Sequence, residues 1–192
     1  MTDENHSKTK SALIGPFDSL RDYMAAIEDL GQVLHVSGLD QDSYEATGFM
    51  YRLIDKLGWA EAPAVVFKNI KINGQWQDGP IIANQYGRWE SEGLAFGVDP
   101  SGDEQYITYQ NVLSKLEDLA TKDNQWKEVQ PNEVERKTAP CKEVVVKEHD
   151  INMLDFPFLQ TNPGDAGPYI NTGSVILEDP KLGRNVGTYR CQ

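Results

Sequence analysis

The chain has 192 residues, enough for a real core in one large domain or two small ones. A 39% hydrophobic share and a mean hydropathy of -0.54 describe a polar globular protein, and a net charge of -12 disfavours a nucleic-acid partner, which needs a basic surface. No apolar run approaches membrane-spanning length, and the opening MTDENHSKTK lacks the apolar stretch of an export signal.

Residues 1–15 read as a disordered leader ending at Gly15-Pro16. Asp18 or Ser19 then caps a helix whose apolar positions Leu20, Tyr23, Met24, Ile27 and Leu30 keep helical spacing, with Gly31 closing it. Residues 32–36 alternate like a strand. A second helix is expected over 44–57, with Phe49, Met50, Leu53, Ile54 and Leu57 on one side and Gly58 at its end. Residues 64–67 form a short run of buried-strand type, 70–77 carry the turn pair Asn73-Gly74, and 80–84 read as another buried strand. Residues 88–96 look helical up to Gly97. A longer helix covers 105–119, with Ile107, Val112, Leu113, Leu116 and Leu119 as its apolar face. Residues 124–140 turn polar, and Pro131 and Pro140 break regular structure, as in a link between two units. Residues 144–146 then read as a strand, and 169–178 and 185–191 as two antiparallel neighbours. There is no internal repeat.

The class is α+β: a mixed helix-and-strand domain over 16–123, then a strand-rich part over 124–192 that reads as unfinished. A few strands with an open edge leave an apolar face that something must cover. The two cysteines, Cys141 and Cys191, form no CxxC pair and have no histidine pair nearby, which fits a reducing cytosol and a cytoplasmic protein.

The chemistry concentrates in the last residues, YINTGSVILEDPKLGRNVGTYRCQ. The Asn185 carboxamide is a hard, neutral oxygen donor of the kind that holds Mg²⁺ or Mn²⁺ together with phosphate. Arg190 offers a permanent charge and a planar fork matched to a carboxylate. Gly187 lets backbone approach a flat ring closely. Taken alone, such an Asn/Arg pair is more often a strand-end cap and a surface cation, and Thr172 is more often just a good strand former. Asp165, in a Gly-Asp-Ala-Gly turn, is better read as bonding its own backbone than as an acid or ligand. His6, His35 and His149 have no partner at ligand spacing, Cys191 is a small buried residue, and the four tryptophans are scattered.

The blocks FDSLRDYMAAIEDLGQVLHV, APAVVFKNI, PIIANQYGRWESEGLAFGV and above all DINMLDFPFLQTNPGDAGPYINTGSVILEDPKLGRNVGTYRCQ resemble the UbiD-like decarboxylases, enzymes that use prenylated FMN. The last block carries Leu-x-x-Phe-Pro, an Asp-x-Gly turn, a Tyr-Ile strand, an Asp-Pro turn and Asn-x-Gly-x-Tyr-Arg-x-Gln, a specific combination. The resemblance implies that 124–192 hold the linker and first strands of an antiparallel split β-barrel that binds flavin. By position, Asn185 would be a ligand of the divalent metal that holds the flavin phosphate, manganese or else magnesium, with K⁺ as a further candidate ion. Arg190 would lie beside the flavin ring and the substrate carboxylate as the catalytic residue. Thr172 would border the cofactor, and Val186, Gly187, Thr188 and Tyr189 would flank it.

The family's reaction is reversible CO₂ exchange on aromatic, heteroaromatic or α,β-unsaturated acids, with the modified flavin carrying the hard chemistry. The resemblance further implies a homo-oligomer at full length and a flavin prenyltransferase that supplies the cofactor. In the family the remaining metal ligands, a His and a Glu, and the proton-donating acid all lie downstream of this motif. The expectation is therefore an N-terminal portion that is inactive alone. Two other readings stay open: a standalone flavin-binding module, and a non-catalytic subunit that completes its barrel with a partner.

Overall fold

A computed structural model of the chain describes residues 14–100, 105–120, 122–123, 125–126 and 130–192. The expected leader lies outside these residues up to position 13; Gly15 is described, and its amide donates to the Leu94 carbonyl at 3.0 Å. The chain divides into two compact units whose segments alternate along the sequence. The first comprises Met1–Val36, Tyr51–Val66 and Ile82–Lys127, and the second Ser37–Met50, Phe67–Ile81 and Glu128–Gln192.

The first helix, α1, is Leu20–Asp29. Ser19, rather than Asp18, caps it, accepting from the Asp22 amide at 3.2 Å, and Gly31 follows at φ +72, a conformation that favours glycine. Strand β1 is Val33–Val36 and β2 is Leu39–Asp40. Helix α2, Glu45–Leu57, stops at Gly58. Strands β3, Ala64–Ile72, and β4, Gln75–Ala83, form a hairpin over Asn73 (φ 53) and Gly74 (φ 75). Two consecutive positive φ values are what an Asn-Gly hairpin turn is chosen for. The sheet runs β1-β3-β2 with β4 on β3, and β2 lies parallel to β3 with Leu39 opposite Ile70. The expected strand at 80–84 thus extends back to Gln75, and it is only half-buried rather than buried.

Helices α3, Trp89–Ala95, and α4, Gln105–Leu119, complete the first unit. Its core is Tyr23, Ile27, Ala64 and Leu94, with Phe17, Met24 and Val33 packed against it. Of the predicted apolar face of α4, Val112 is buried and Leu116 half-buried, but the other three positions are not. The helix buries Thr108 and Val112, while Ile107, Leu113 and Leu119 stay exposed. A side chain on Gly93 would come within 2.4 Å of Thr108 Cγ2, so close approach at that glycine selects the contact face. In the second unit Phe49 meets Phe67 edge-on at 6.1 Å, and Ala46, Phe67, Ile70 and Ile72 are buried.

Residues 144–146 are not a strand. Val144, Val145 and Val146 are exposed, with short 3-10 turns on both sides at Pro140–Lys142 and Glu148–Asp150. β-propensity alone does not make a strand without a neighbour to bond. Strands β5, Ile170–Asp179, and β6, Gly183–Cys191, form an antiparallel pair as expected. Among the described residues no further strand joins that pair, so no sheet is closed there.

Candidate functional site

All the residues singled out at the end of the sequence lie on the β5–β6 hairpin. The turn is fixed by Asp179, whose carboxylate accepts from the Leu182 and Lys181 amides, both at 2.8 Å. Those backbone bonds, the Leu182 one foremost, hold its carboxyl below the usual range. Gly183 completes the turn at φ +82. The register then runs Leu177 opposite Asn185, Ile176 opposite Val186, Val175 opposite Gly187, Ser174 opposite Thr188 and Gly173 opposite Tyr189.

Beyond Gly173 the register shifts. Ile170 faces Cys191, so Asn171 and Thr172 together oppose the single residue Arg190. This is a β-bulge, a device that re-aims side chains and recurs beside active sites. It brings two of the predicted site residues, Thr172 and Arg190, onto one rung. An interior glycine in a strand is the signal that announces such a bulge, and Gly173 supplied it unread.

Strand alternation separates the other predicted pair. Asn185 and Arg190 are an odd number of positions apart, so a regular β6 turns them to opposite faces of the hairpin. Asn185 shares its face with Gly187, Tyr189 and Cys191. The half-buried members of the hairpin, Ile170, Gly173, Val175, Gly187 and Cys191, all fall on that side. Val186, Thr188 and Arg190 share the other face, together with exposed Ile176. A single ligand that touches both residues has to wrap around an edge of the hairpin, and Asn185 and Arg190 both lie on β6, the strand that forms one outer edge. That edge has no strand partner among the described residues, so alternate backbone N–H and C=O groups point outward from it.

Two aromatic contacts were not foreseen. The Arg190 guanidinium lies over the Tyr169 ring at 4.7 Å from its centroid, and the arginine carries no carboxylate partner among the described residues. The flat ring over Gly187 is that of Tyr189: a Cβ built on Gly187 would meet Tyr189 Cε2 at 2.4 Å. Tyr169 is itself anchored, its amide donating to the Leu159 carbonyl at 3.1 Å.

Donor chemistry decides what this half-site can hold. Asn185 is one exposed neutral oxygen, and no cluster of three His, Cys, Asp or Glu side chains stands among the described residues. One such donor does not hold a hard dication against water, so the residues present do not by themselves fit a metal. They do fit an anionic, flat-ringed group in part: a guanidinium without a carboxylate partner and a strand edge without a neighbour, both among the described residues, and an exposed apolar strand face.

No residue between 130 and 192 is buried. Ile176, Leu177, Val186 and Tyr189 are each more than half exposed, an apolar content that a finished hairpin packs against something.

Comparisons with known proteins bear on this hairpin directly. Residues 132–192 match the family model described as UbiD, the 3-octaprenyl-4-hydroxybenzoate carboxy-lyase Rift-related domain. A phenolic acid decarboxylase from Sedimentibacter hydroxybenzoicus is 31% identical over 186 residues, covering 92% of this chain and 35% of that enzyme. The solved open form of vanillic acid decarboxylase from the same organism superposes with a TM-score of 0.67 at 28% identity, over 91% of this chain and 36% of that one. An evolved dimeric form of the UbiD-class enzyme HmfF from Pelotomaculum thermopropionicum, in complex with prFMN, gives 0.66 at 26% identity, over 91% and 35%. The chain thus spans about a third of the length of the relatives it matches.

Proposed function

We propose, from the premise that this is a partial UbiD-like chain, that it supplies the N-terminal part of a prenylated-FMN-dependent carboxy-lyase. The reaction would be non-oxidative removal or addition of CO₂ on an aromatic or α,β-unsaturated carboxylic acid. The observation that carries the reading is the β5–β6 hairpin: the family match includes it, and its bulge sets Thr172 against Arg190, which has no carboxylate partner among the described residues. Prenylated FMN, when bound, supplies the electron-accepting centre that makes loss of CO₂ feasible.

This chain's own residues position and charge the site. The Arg190 guanidinium, held over Tyr169, would pair with the substrate carboxylate and fix the scissile bond in one orientation. Thr172, opposite Arg190, would border the cofactor, and backbone of Val186, Gly187, Thr188 and Tyr189 would flank it along the open strand edge. Asn185, on the other face, would reach the phosphate end and the Mn²⁺ bound there, with further ligands from outside this chain. The exposed apolar residues of β5 and β6 support the need for a covering partner surface, and the 192 residues alone are proposed to be inactive.

The test uses a full-length enzyme containing this segment. Arg190→Ala should abolish turnover with the fold retained, and unchanged turnover would remove Arg190 from the mechanism. Asn185→Ala should weaken Mn²⁺-dependent retention of the flavin through desalting. Equal retention with and without Mn²⁺ would end the ligand role.

A further inference from the structure

The first unit contains a cavity of about 490 Å³ that the hairpin chemistry does not use, lined by Trp59, Asn84, Tyr86, Arg88, Trp89 and Glu92 among others. Its volume lies in the range of small-molecule sites. Local chemistry builds it. Asn84, at φ 57, donates from its carboxamide to the Ala62 and Pro63 carbonyls at 2.9 and 3.1 Å, pinning the link from β4 to α3. The Gly87 amide returns to the Asn84 carbonyl at 3.0 Å, and a Cβ there would sit 2.1 Å from Asn84 Nδ2. The turn therefore requires its glycine.

The aromatic walls are held from behind. Tyr86 stacks on Tyr23 at 5.4 Å, the Tyr23 hydroxyl donates to the Gln85 carbonyl, and Trp89 packs on Tyr109 at 4.7 Å. Yet Trp59 is 75% exposed and Tyr86 54%. Tyr86 and Trp89 are preset in this way, which lowers the entropic cost of binding a ligand, and Trp59 adds an exposed ring to the same cavity wall.

Charge selects the ligand. Arg88 pairs with Glu61 at 3.4 Å and with Glu90 at 3.3 Å, so its charge is balanced, while its buried Nε has no hydrogen-bond partner among the described residues. Glu92 has no ion pair among the described residues, and the chain as a whole carries -12. Three exposed rings and an unpaired carboxylate suit a cation that also carries apolar surface.

We propose that this pocket binds an organic cation of the methylated-ammonium type, with Trp59, Tyr86 and Trp89 as the cage and Glu92 as the counter-charge. The head group can come from a free choline-like molecule or from a methylated lysine of a polypeptide. This inference is independent of the carboxy-lyase reading, since none of its residues lies on the β5–β6 hairpin.

The experiment titrates the 192-residue chain with tetramethylammonium chloride at constant ionic strength, reading the four indole N–H signals by NMR. The Trp59 and Trp89 signals should shift saturably while those of Trp76 and Trp126 stay in place. Neutral tert-butanol should bind about tenfold more weakly, and Trp59→Ala and Glu92→Gln should each weaken tetramethylammonium by about tenfold, with dispersed spectra showing that the fold is kept. Choline and a trimethyllysine peptide, compared in parallel, then tell the two sources apart. Absence of saturable shifts, equal binding of tert-butanol, or undiminished affinity in both variants would overturn the proposal.

Discussion

The Asn73-Gly74 turn depends on Asp42, which lies 31 positions before Asn73. The Asp42 carboxylate accepts from the Asn73 amide and the Gly74 amide, each at 2.7 Å, so one side chain holds both residues of the turn at positive φ. A hydrogen bond to a charged group contributes about 1.5 to 3 kcal/mol when shielded, and water competes for both of these exposed amides. Halving each bond for that exposure puts Asp42→Ala at a loss of about 2 kcal/mol. For a chain of this size that is a fall in melting temperature of about 6 °C. Asp42→Asn keeps one acceptor oxygen and should lose about half as much. Urea denaturation gives the free energies, and amide hydrogen exchange at Asn73 and Gly74 localises the effect. If both amides exchange as slowly in Asp42→Ala as in the parent, and stability falls by less than about 0.5 kcal/mol, the anchoring argument is wrong.

Two further outcomes follow from the same packing and electrostatics. Leu94, fully buried against Tyr23 and Ile27, should cost about 3 kcal/mol when cut to alanine, measured by calorimetry; a loss below about 1 kcal/mol would mean the site collapses around the deletion. The Asp179 carboxyl is held low by the Leu182 and Lys181 amides. A depressed acid stabilises the fold above its unfolded value of 3.8, and the contribution is lost as pH falls through the folded value. The amide signals of Lys181 and Leu182 should therefore stay fixed from neutral pH down to about 4 and move only below it. Movement centred above the ordinary carboxylate range would contradict that account.

Local chemistry determined a good part of this protein. Ser19 before an apolar period, glycines at positions 31, 58 and 97, Asn73-Gly74, and the two alternating runs around Asp179-Pro180 each act within a few residues. The elements they announce are present. The hairpin motif was also enough to point to the UbiD-like resemblance, because it is a pattern of residue types along one stretch of chain.

What the sequence did not determine depends on contacts between distant residues. Gly93 let α3 approach Thr108 closely, and so α4 buries that threonine beside Val112 while Ile107, Leu113 and Leu119 of its apolar stripe stay exposed. Val144–146 has every propensity for a strand and, with no neighbour to bond, does not become one. The pairing of β5 with β6 decided the bulge, and the bulge decided that Thr172 faces Arg190. The parity of β6 put Asn185 on the opposite side from Arg190. Trp59 and Trp89, thirty residues apart, look like scattered aromatics until the fold sets them in one cavity wall. Propensity and turn chemistry are short-range energies that the chain writes in order. Burial, register and cavity shape are set by which surfaces meet, and only the folded chain decides that.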